Sequence, residues 1–238
     1  MSAMAGGRPG LSVAVLFSSM LTSIQTMNLA DFRAGDRASK ALAELRGERG
    51  WVFVLAKKGT RVWKRGAEEA DENAPFAVRA TIEIAAPASE VAAILLSRNY
   101  DVIRRFNPTI VNGRDIEWRD GRRERTTYIL TKAVWPLAPR DFVCCVRHTQ
   151  LAGGVELITN QPATHAQAPR VRGCVRASLC GLHLIEPRGR RRCLYTCVHE
   201  IDPGGRAPRA LVNWFALRRP LQYMVSLREL AVDLQNNR

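Results

Sequence analysis

Residues 193–234 read CLYTCVHEID, then PGG, then RAPRALVNWFALRRPLQYMVSLRELAVDL, and this stretch decides the fold. Residues 193–201 are rich in β-branched and aromatic side chains, which predicts a strand, and residues 202–205 form a turn. Apolar residues then recur at helical spacing from about 208 to 234 and predict one long helix, kinked at Pro220. A curved antiparallel sheet closed by such a helix forms a container for a small apolar molecule.

Upstream segments supply the rest of the predicted sheet. Strands are predicted at residues 51–55, 61–64, 76–84, 116–118, 125–131, 142–149, 155–160 and 171–184. Short helices are predicted at residues 36–45, 89–96 and 99–105. The predicted order is one helix, three strands, two helices, about six strands and one long helix. This order indicates an α+β fold with no repeat and no second domain.

The composition is that of a globular protein with a large positive charge. The chain has 238 residues, 46% of them hydrophobic and 24% charged, and a formal net charge of +14. Arginine supplies almost all of that charge, which predicts attraction to anionic surfaces, either phospholipid head groups or nucleic acid. An arginine-rich solvated surface without any such partner is an equally good interpretation.

The first 30 residues are treated separately from a domain at residues 31–238. Residues 11–17 are apolar, but polar residues follow at once, and no stretch reaches the roughly 18 apolar residues that span a bilayer. Arg8 is the only charged residue before Asp31, as in a cleaved targeting peptide. The alternative, a first helix packed on the domain, is preferred.

The sequence shows no signature of a metal site, a cofactor or a catalytic centre. Six cysteines occur, but no CxxC pair is present and no histidine has zinc-ligand spacing, so free buried thiols are expected. Glu156 and Glu200 are lone carboxylates on predicted strands, which leaves an enzyme acting on an apolar substrate as an alternative function. A basic nucleic-acid-binding domain is a further alternative. It is disfavoured because four tryptophans, Trp51, Trp63, Trp118 and Trp214, lie in apolar patterns.

Four short motifs in order carry a family resemblance. They are Phe106-Asn107-Pro108, Pro139-Arg140-Asp141-Phe142-Val143, Gly173-Cys174-Val175-Arg176, and residues 202–208 leading to Leu211-Val212-Asn213. Their order and spacing resemble the START lipid-transfer domains over roughly residues 36–234. The resemblance implies the helix-grip fold, in which a curved antiparallel sheet wraps around a long C-terminal helix and encloses an apolar cavity.

The resemblance further implies a monomer that binds one lipid, such as a sterol or a phospholipid, and transfers it between membranes without catalysis or a cofactor. It implies transient contact with an anionic membrane surface and no nucleic acid. The location would be cytoplasmic and peripheral to membranes, with organelle targeting left open. A gating loop would comprise Trp135, Pro136 and Leu137. The implied ligand-binding residues are Ile103, Phe106, Asn107, Tyr128, Phe142, Val146, Val175, Phe215, Ala216, Tyr223 and Leu227.

One departure from the family pattern concerns the polar groups of the cavity. Sterol-binding members carry an interior acid and an interior arginine. Counting without gaps from Arg140 puts Val146, and not Arg147, at the arginine position. The acid position falls near Thr127 or Tyr128, neither of which is ionised at neutral pH. A bulge in one strand or a less polar cavity would explain the difference, and the lipid class is left open.

Overall fold

A computed structural model describes residues 50–65, 76–135, 137–205 and 209–237. These residues form ten strands, three α-helices and two 3-10 turns. The elements are β1 (Trp51–Lys57), β2 (Thr60–Arg65), β3 (Phe76–Ile84), α1 (Ala88–Leu95), α2 (Tyr100–Phe106), β4 (Ile110–Arg119), β5 (Glu124–Thr131), β6 (Arg140–Gln150), β7 (Glu156–Pro162), β8 (Val175–Arg176), β9 (Ser178–Pro187), β10 (Cys193–Asp202) and α3 (Arg209–Asn236).

All the strands belong to one sheet, in the order β1-β2-β3-β10-β9-β7-β6-β5-β4. Neighbours along this path are antiparallel, whereas the two-residue strand β8 runs parallel to β6 beside it. The last strand, β10, therefore lies between β3 and β9 in the middle of the sheet. This arrangement gives the sheet one continuous inner face for the helices to cover.

Two hairpin turns show how local sequence fixes the strand pairing. At the β4–β5 turn, Asp120 and Gly121 have φ values of 50° and 58°. At the β1–β2 turn, Lys58 and Gly59 have φ values of 51° and 76°. Two successive residues in the left-handed region match the right-handed twist of the flanking strands. The Asp-Gly turn predicted from the sequence is confirmed.

The core lies between the inner face of the sheet and the helices. Helix α3 packs against β2, β3 and α2. Along β3, Val78, Ala80, Ile82 and Ile84 point inward and are almost fully buried, and Arg79 lies on the opposite face over Trp63. This alternation is the period of a strand with one face on the core. The six cysteines are free thiols.

The predicted α+β helix-grip architecture is confirmed, with one wrong element. Residues 171–184 were predicted as one strand, but the chain turns at Gly173, where φ is +79°, and regular pairing begins only at Val175. The Arg176 side chain then donates a hydrogen bond to Asp141 of β6, and β8 pairs with β6 in parallel before β9 begins. The helix predicted at residues 36–45 and the loop predicted at residues 66–74 lie outside the described residues.

Candidate ligand cavity

A cavity of about 340 Å³, the outer chamber, lies between the sheet and α3. A volume of that size is in the range of small-molecule sites. Its walls are mainly apolar side chains of α2, β3, β5, β6, β9, β10 and α3. The residues that line it include Val78, Phe106, Asn107, Ile110, Ile129, Phe142, Leu179, Cys197, His199, Ile201, Pro220 and Tyr223.

A second cavity of about 140 Å³, the inner pocket, adjoins the outer chamber. Both spaces are lined by Phe106, Asn107, Ile129, His199 and Tyr223, among others, so the two cavities share part of their walls. The inner pocket is the more polar of the two. Its polar lining consists of Tyr100, Asn107, Arg125, Thr127, Asn160, His183, His199 and Tyr223.

A chain of hydrogen bonds lies along one wall of the inner pocket. The Asn160 amide nitrogen lies 3.1 Å from Nε2 of His183, whose Nδ1 lies 2.6 Å from the Tyr195 hydroxyl. That hydroxyl in turn donates to the Tyr223 hydroxyl at 3.4 Å. Since Asn160 donates to Nε2, the His183 ring carries its proton on Nδ1 and is neutral. Burial and the neighbouring His199 ring lower the pKa of His183 well below its usual value.

His199 stands where the two cavities meet. Its ring contacts those of His183 and Tyr223 edge to face, with centroids 5.0 and 6.3 Å apart. Burial lowers the pKa of His199 to about 4, so the ring is neutral at physiological pH. Within the described part of the chain, its buried Nε2 atom has no hydrogen-bond partner. An imidazole nitrogen in this state can donate to or accept from a bound molecule.

An ion pair lies at the far wall of the inner pocket. Nη1 of Arg125 lies 3.2 Å from a carboxylate oxygen of Asp115, and both side chains are more than nine-tenths buried. A register shift between Asp115 and Glu117 in the β4–β5 pairing puts both Asp115 and Trp118 on the inner side with Arg125. Asp115 is not predicted as a site residue because the bulge in β4 changes the phase of side-chain alternation. Arg125 is not predicted either, because it shares the inward phase of Thr127 and Ile129, opposite to that of the expected Tyr128.

The segment between β5 and β6 forms the outer rim of the cavity. Backbone hydrogen bonds run both ways between Val134 and Leu137, at 3.1 and 2.7 Å, and hold a tight turn. Trp135 sits at its tip with 91% of its surface exposed, whereas Leu137 lines the outer chamber. Arg140 fastens the rim by donating to the carbonyl oxygens of Ala138 and Pro203. Pro136 lies outside the described residues.

Most of the residues expected to bind a ligand lie around this cavity. Phe106, Asn107, Phe142 and Tyr223 line the outer chamber, and Ile103 and Val146 line the inner pocket. The side chains of Phe215 and Ala216 lie outside the described residues.

Three expected positions are corrected. Tyr128 faces the opposite side of β5 and packs with Val143 and Ala168, because Thr127 and Ile129 are the residues in the inward phase. Val175 packs beside the turn at Gly204 and Gly205, because β8 sits outside the main strand order. Leu227 is fully buried in the closed core and does not line either cavity.

Arg147 faces away from the cavity, as counting from Arg140 predicts. Its Nε donates to Glu124 at 2.9 Å on the opposite face of the sheet, and Val146 points inward in its place. The interior acid and arginine expected of sterol-binding members are therefore missing from those positions. Asp115 and Arg125 supply an interior pair on the neighbouring strands instead.

No three His, Cys, Asp or Glu side chains of the described segments are grouped to hold a metal ion. Among the same segments, no helix has both the length and the hydropathy to cross a membrane.

Comparisons with known proteins agree with this geometry. START domain-containing protein 10 of Mus musculus is 25% identical over 193 residues, which are 80% of this chain. The chain spans only 62% of the length of that relative. The structure of human STARD10 superimposes with a TM-score of 0.75 at 20% identity, covering 85% of this chain and 81% of the other. Human StAR-related lipid transfer protein 5 gives a TM-score of 0.73 at 17% identity, with 94% and 99% covered.

At these identities the two structures establish the fold. The family is established by the sequence, since the START domain profile matches residues 39–230, which is most of the chain. The match includes the elements that build both cavities. The chain therefore belongs to the START domain family.

Proposed function

We propose that the protein binds one lipid in the combined cavity and transfers it between membranes as a monomer. The observation that carries the proposal is the outer chamber of about 340 Å³, with its mainly apolar walls, under α3. Each methylene group moved from water into such a site contributes about 0.8 kcal/mol, so an acyl chain or a sterol ring system would be bound strongly. The solved relative whose name includes lipid transfer supports the same class of function.

Transient contact with an anionic membrane is part of the proposal. The net charge of +14 favours approach to anionic head groups. Trp135 offers an exposed aromatic ring on the rim of the chamber, and aromatic side chains favour the membrane–water interface. A peripheral cytoplasmic location fits this mode of contact, with organelle targeting through residues 1–30 left open.

The two alternative functions have less support. The His183 ring is a poor base at neutral pH, because burial lowers its pKa and Asn160 already occupies Nε2. For nucleic acid, the three tryptophans that lie on described strands are poorly placed to stack on bases. Guanidinium groups lie over the indole rings of Trp51, Trp63 and Trp118, at 4.9 to 5.5 Å from the ring centroids.

Native mass spectrometry of the full chain after incubation with mixed-lipid vesicles tests the proposal. The vesicles would contain a fatty acid, a sterol, and neutral and anionic phospholipids, and we expect one lipid per protein. Ile129→Trp should lower the lipid-bound fraction about tenfold or more, because Ile129 lines both cavities and the larger ring would project into the space that the ligand occupies.

Val111→Trp is the matched control, since Val111 is exposed on β4 and the same ring would project into solvent. Retention of no lipid of any class, or equal retention by both variants, would overturn the proposed function.

A further inference from the structure

The guanidinium group of Arg125 has hydrogen-bonding capacity directed at the inner pocket that its protein partner does not use. The side chain lines the pocket with only 7% of its surface exposed. Asp115 accepts from Nη1, but the buried Nε–H has no acceptor among the described residues. Guanidinium has five N–H donors, and a buried donor without an acceptor costs free energy. A bound acceptor would recover that cost.

The balance of charge at this wall is positive. Asp115 is approached by two guanidinium groups, Arg125 at 3.2 Å and Arg98 at 3.7 Å, and the Tyr100 hydroxyl also donates to it. The single carboxylate of Asp115 is therefore the counterion of two guanidinium groups. Arg125 is the charged group among the described residues that line the inner pocket. A bound anion would give the buried Arg125 guanidinium a second charged partner.

Neutral groups on the opposite wall complement the cation. His199 presents a buried Nε2 with no partner in the described chain, and His183 is neutral. Because neither ring carries a positive charge, neither adds a second buried cation, and the free Nε2 atom of His199 can form a hydrogen bond to a head group. Asn160 and Thr127 add neutral polar side chains to the same lining.

The size of the inner pocket limits what it can hold. Its volume of about 140 Å³ equals that of about four or five water molecules in the liquid. A carboxylate or a phosphate group fits that volume, whereas an acyl chain requires the adjoining outer chamber.

From these contacts we propose that the inner pocket is an anion site, in which Arg125 binds the carboxylate or phosphate head group of an acidic lipid. This inference rests on the proposed function and specifies the ligand class of the same cavity. The head group lies innermost, between Arg125 and His199. The tail fills the outer chamber toward the rim that carries Trp135.

The test compares ligands that differ in head-group charge, using the full chain at pH 7.5. cis-Parinaric acid, a fluorescent fatty acid, is titrated in parallel with its methyl ester, which has the same tail and no charge. We expect the acid to bind about tenfold or more tightly than the ester, the size of one charge-assisted hydrogen bond. An unlabelled lysophosphatidic acid added in competition distinguishes phosphate from carboxylate as the preferred anion.

Arg125→Gln should reduce the preference for the acid to less than about threefold and leave ester binding nearly unchanged. Arg147→Gln is the matched control, because that arginine pairs with Glu124 on the outer face of the same sheet, and it should keep the full preference.

Equal affinity of the wild-type protein for acid and ester overturns the inference, even if Arg125→Gln fails to fold. Survival of the preference in a folded Arg125→Gln protein also overturns it. Failure of both ligands to bind also overturns the inference, whereas the proposed function is overturned only when the vesicle assay shows no retained lipid of any class, so the two failures are distinguishable.

Discussion

The rings of His183 and His199 couple the stability of the cavity wall to pH. Both are neutral in the folded protein because burial lowers their pKa values, that of His199 to about 4 against 6.5 for a solvated ring. In the unfolded chain both rings take up a proton as the pH falls through about 6.5. Between those values the unfolded state binds more protons than the folded state, so acidification favours unfolding.

We expect the contribution of these two rings to the free energy of unfolding to be complete above pH 6.5 and to fall as the pH drops toward 4. His199 alone accounts for about 3 kcal/mol of that loss, from its shift of pKa. Urea denaturation between pH 4 and pH 8 would measure it.

His199→Gln should make the slope shallower, since Gln does not titrate, and the contribution of His183 in the same direction remains. Burial also raises the pKa of Glu200, which acts in the opposite direction, and subtracting the variant from the wild type removes that contribution. A wild-type stability that is flat or rising on acidification contradicts the prediction.

Single residues also show where sequence reasoning reached its limit. Counting without gaps from Arg140 puts Val146 at the interior position, and Val146 does line the inner pocket, because β6 pairs with β5 and β7 without a break in register. Strand alternation alone cannot put Asp115 and Trp118 on one face, since they are three positions apart, an odd number, and only the bulge in β4 restores the phase. The ion pair at the wall of the inner pocket depends on that bulge, and no residue pattern in β4 indicates a bulge there.

At the scale of elements, one ion pair attaches β8 and the preceding loop to β6. Asp141 is 1% exposed, and its two carboxylate oxygens accept from Nε and Nη2 of Arg176, each at 2.9 Å. Nη2 also donates to the carbonyl oxygens of Ala168 and Pro169. The paired geometry satisfies the carboxylate fully and fixes the loop by the same guanidinium group.

Asp141→Asn should therefore destabilise the protein by about 3 kcal/mol or more, because it leaves the Arg176 charge without a buried counterion. Glu117→Gln is the matched control, since Glu117 pairs with Arg119 at an exposed position, and it should cost less than about 1 kcal/mol.

Chemical denaturation of both variants measures these costs. Similar costs for the two substitutions would show that the Asp141–Arg176 pair does not hold this element in place.

At the scale of the whole molecule, the net charge of +14 and the exposed ring of Trp135 would both favour contact with an anionic membrane surface. The order of elements could be predicted from the sequence, because strand alternation, helical spacing and turn residues are local signals. The division of the cavity into an apolar chamber and a polar pocket could not. It arises where α2, β4, β5 and β10 meet, and their side chains are distant in sequence.

Trp135→Ala should slow lipid exchange with anionic vesicles severalfold and leave the equilibrium affinity nearly unchanged. Trp135 is at the tip of the rim and is not among the residues that line the chamber. Added salt should slow exchange as well, since it shortens the reach of the surface charge to about 8 Å at physiological ionic strength.

Transfer of a fluorescent lipid between vesicles measures both effects. Val52→Ala removes another exposed apolar side chain, on the edge strand β1, and should have no effect. If neither the Trp135 substitution nor added salt changes the rate of lipid exchange, the rim takes no part in the transfer step.

The central pairing of β3 with β10 has a consequence for how the chain is made. The register runs from Phe76 opposite Ile201 to Ile84 opposite Cys193, so the partners are more than 100 residues apart. During synthesis, one edge of β3 has no partner until β4 to β9 have left the ribosome, and such non-local pairing makes folding slow. We therefore expect the nascent protein to pass through an incomplete sheet. The apolar inner face of that sheet stays exposed to water until the 28 residues of α3 have been synthesised and can cover it.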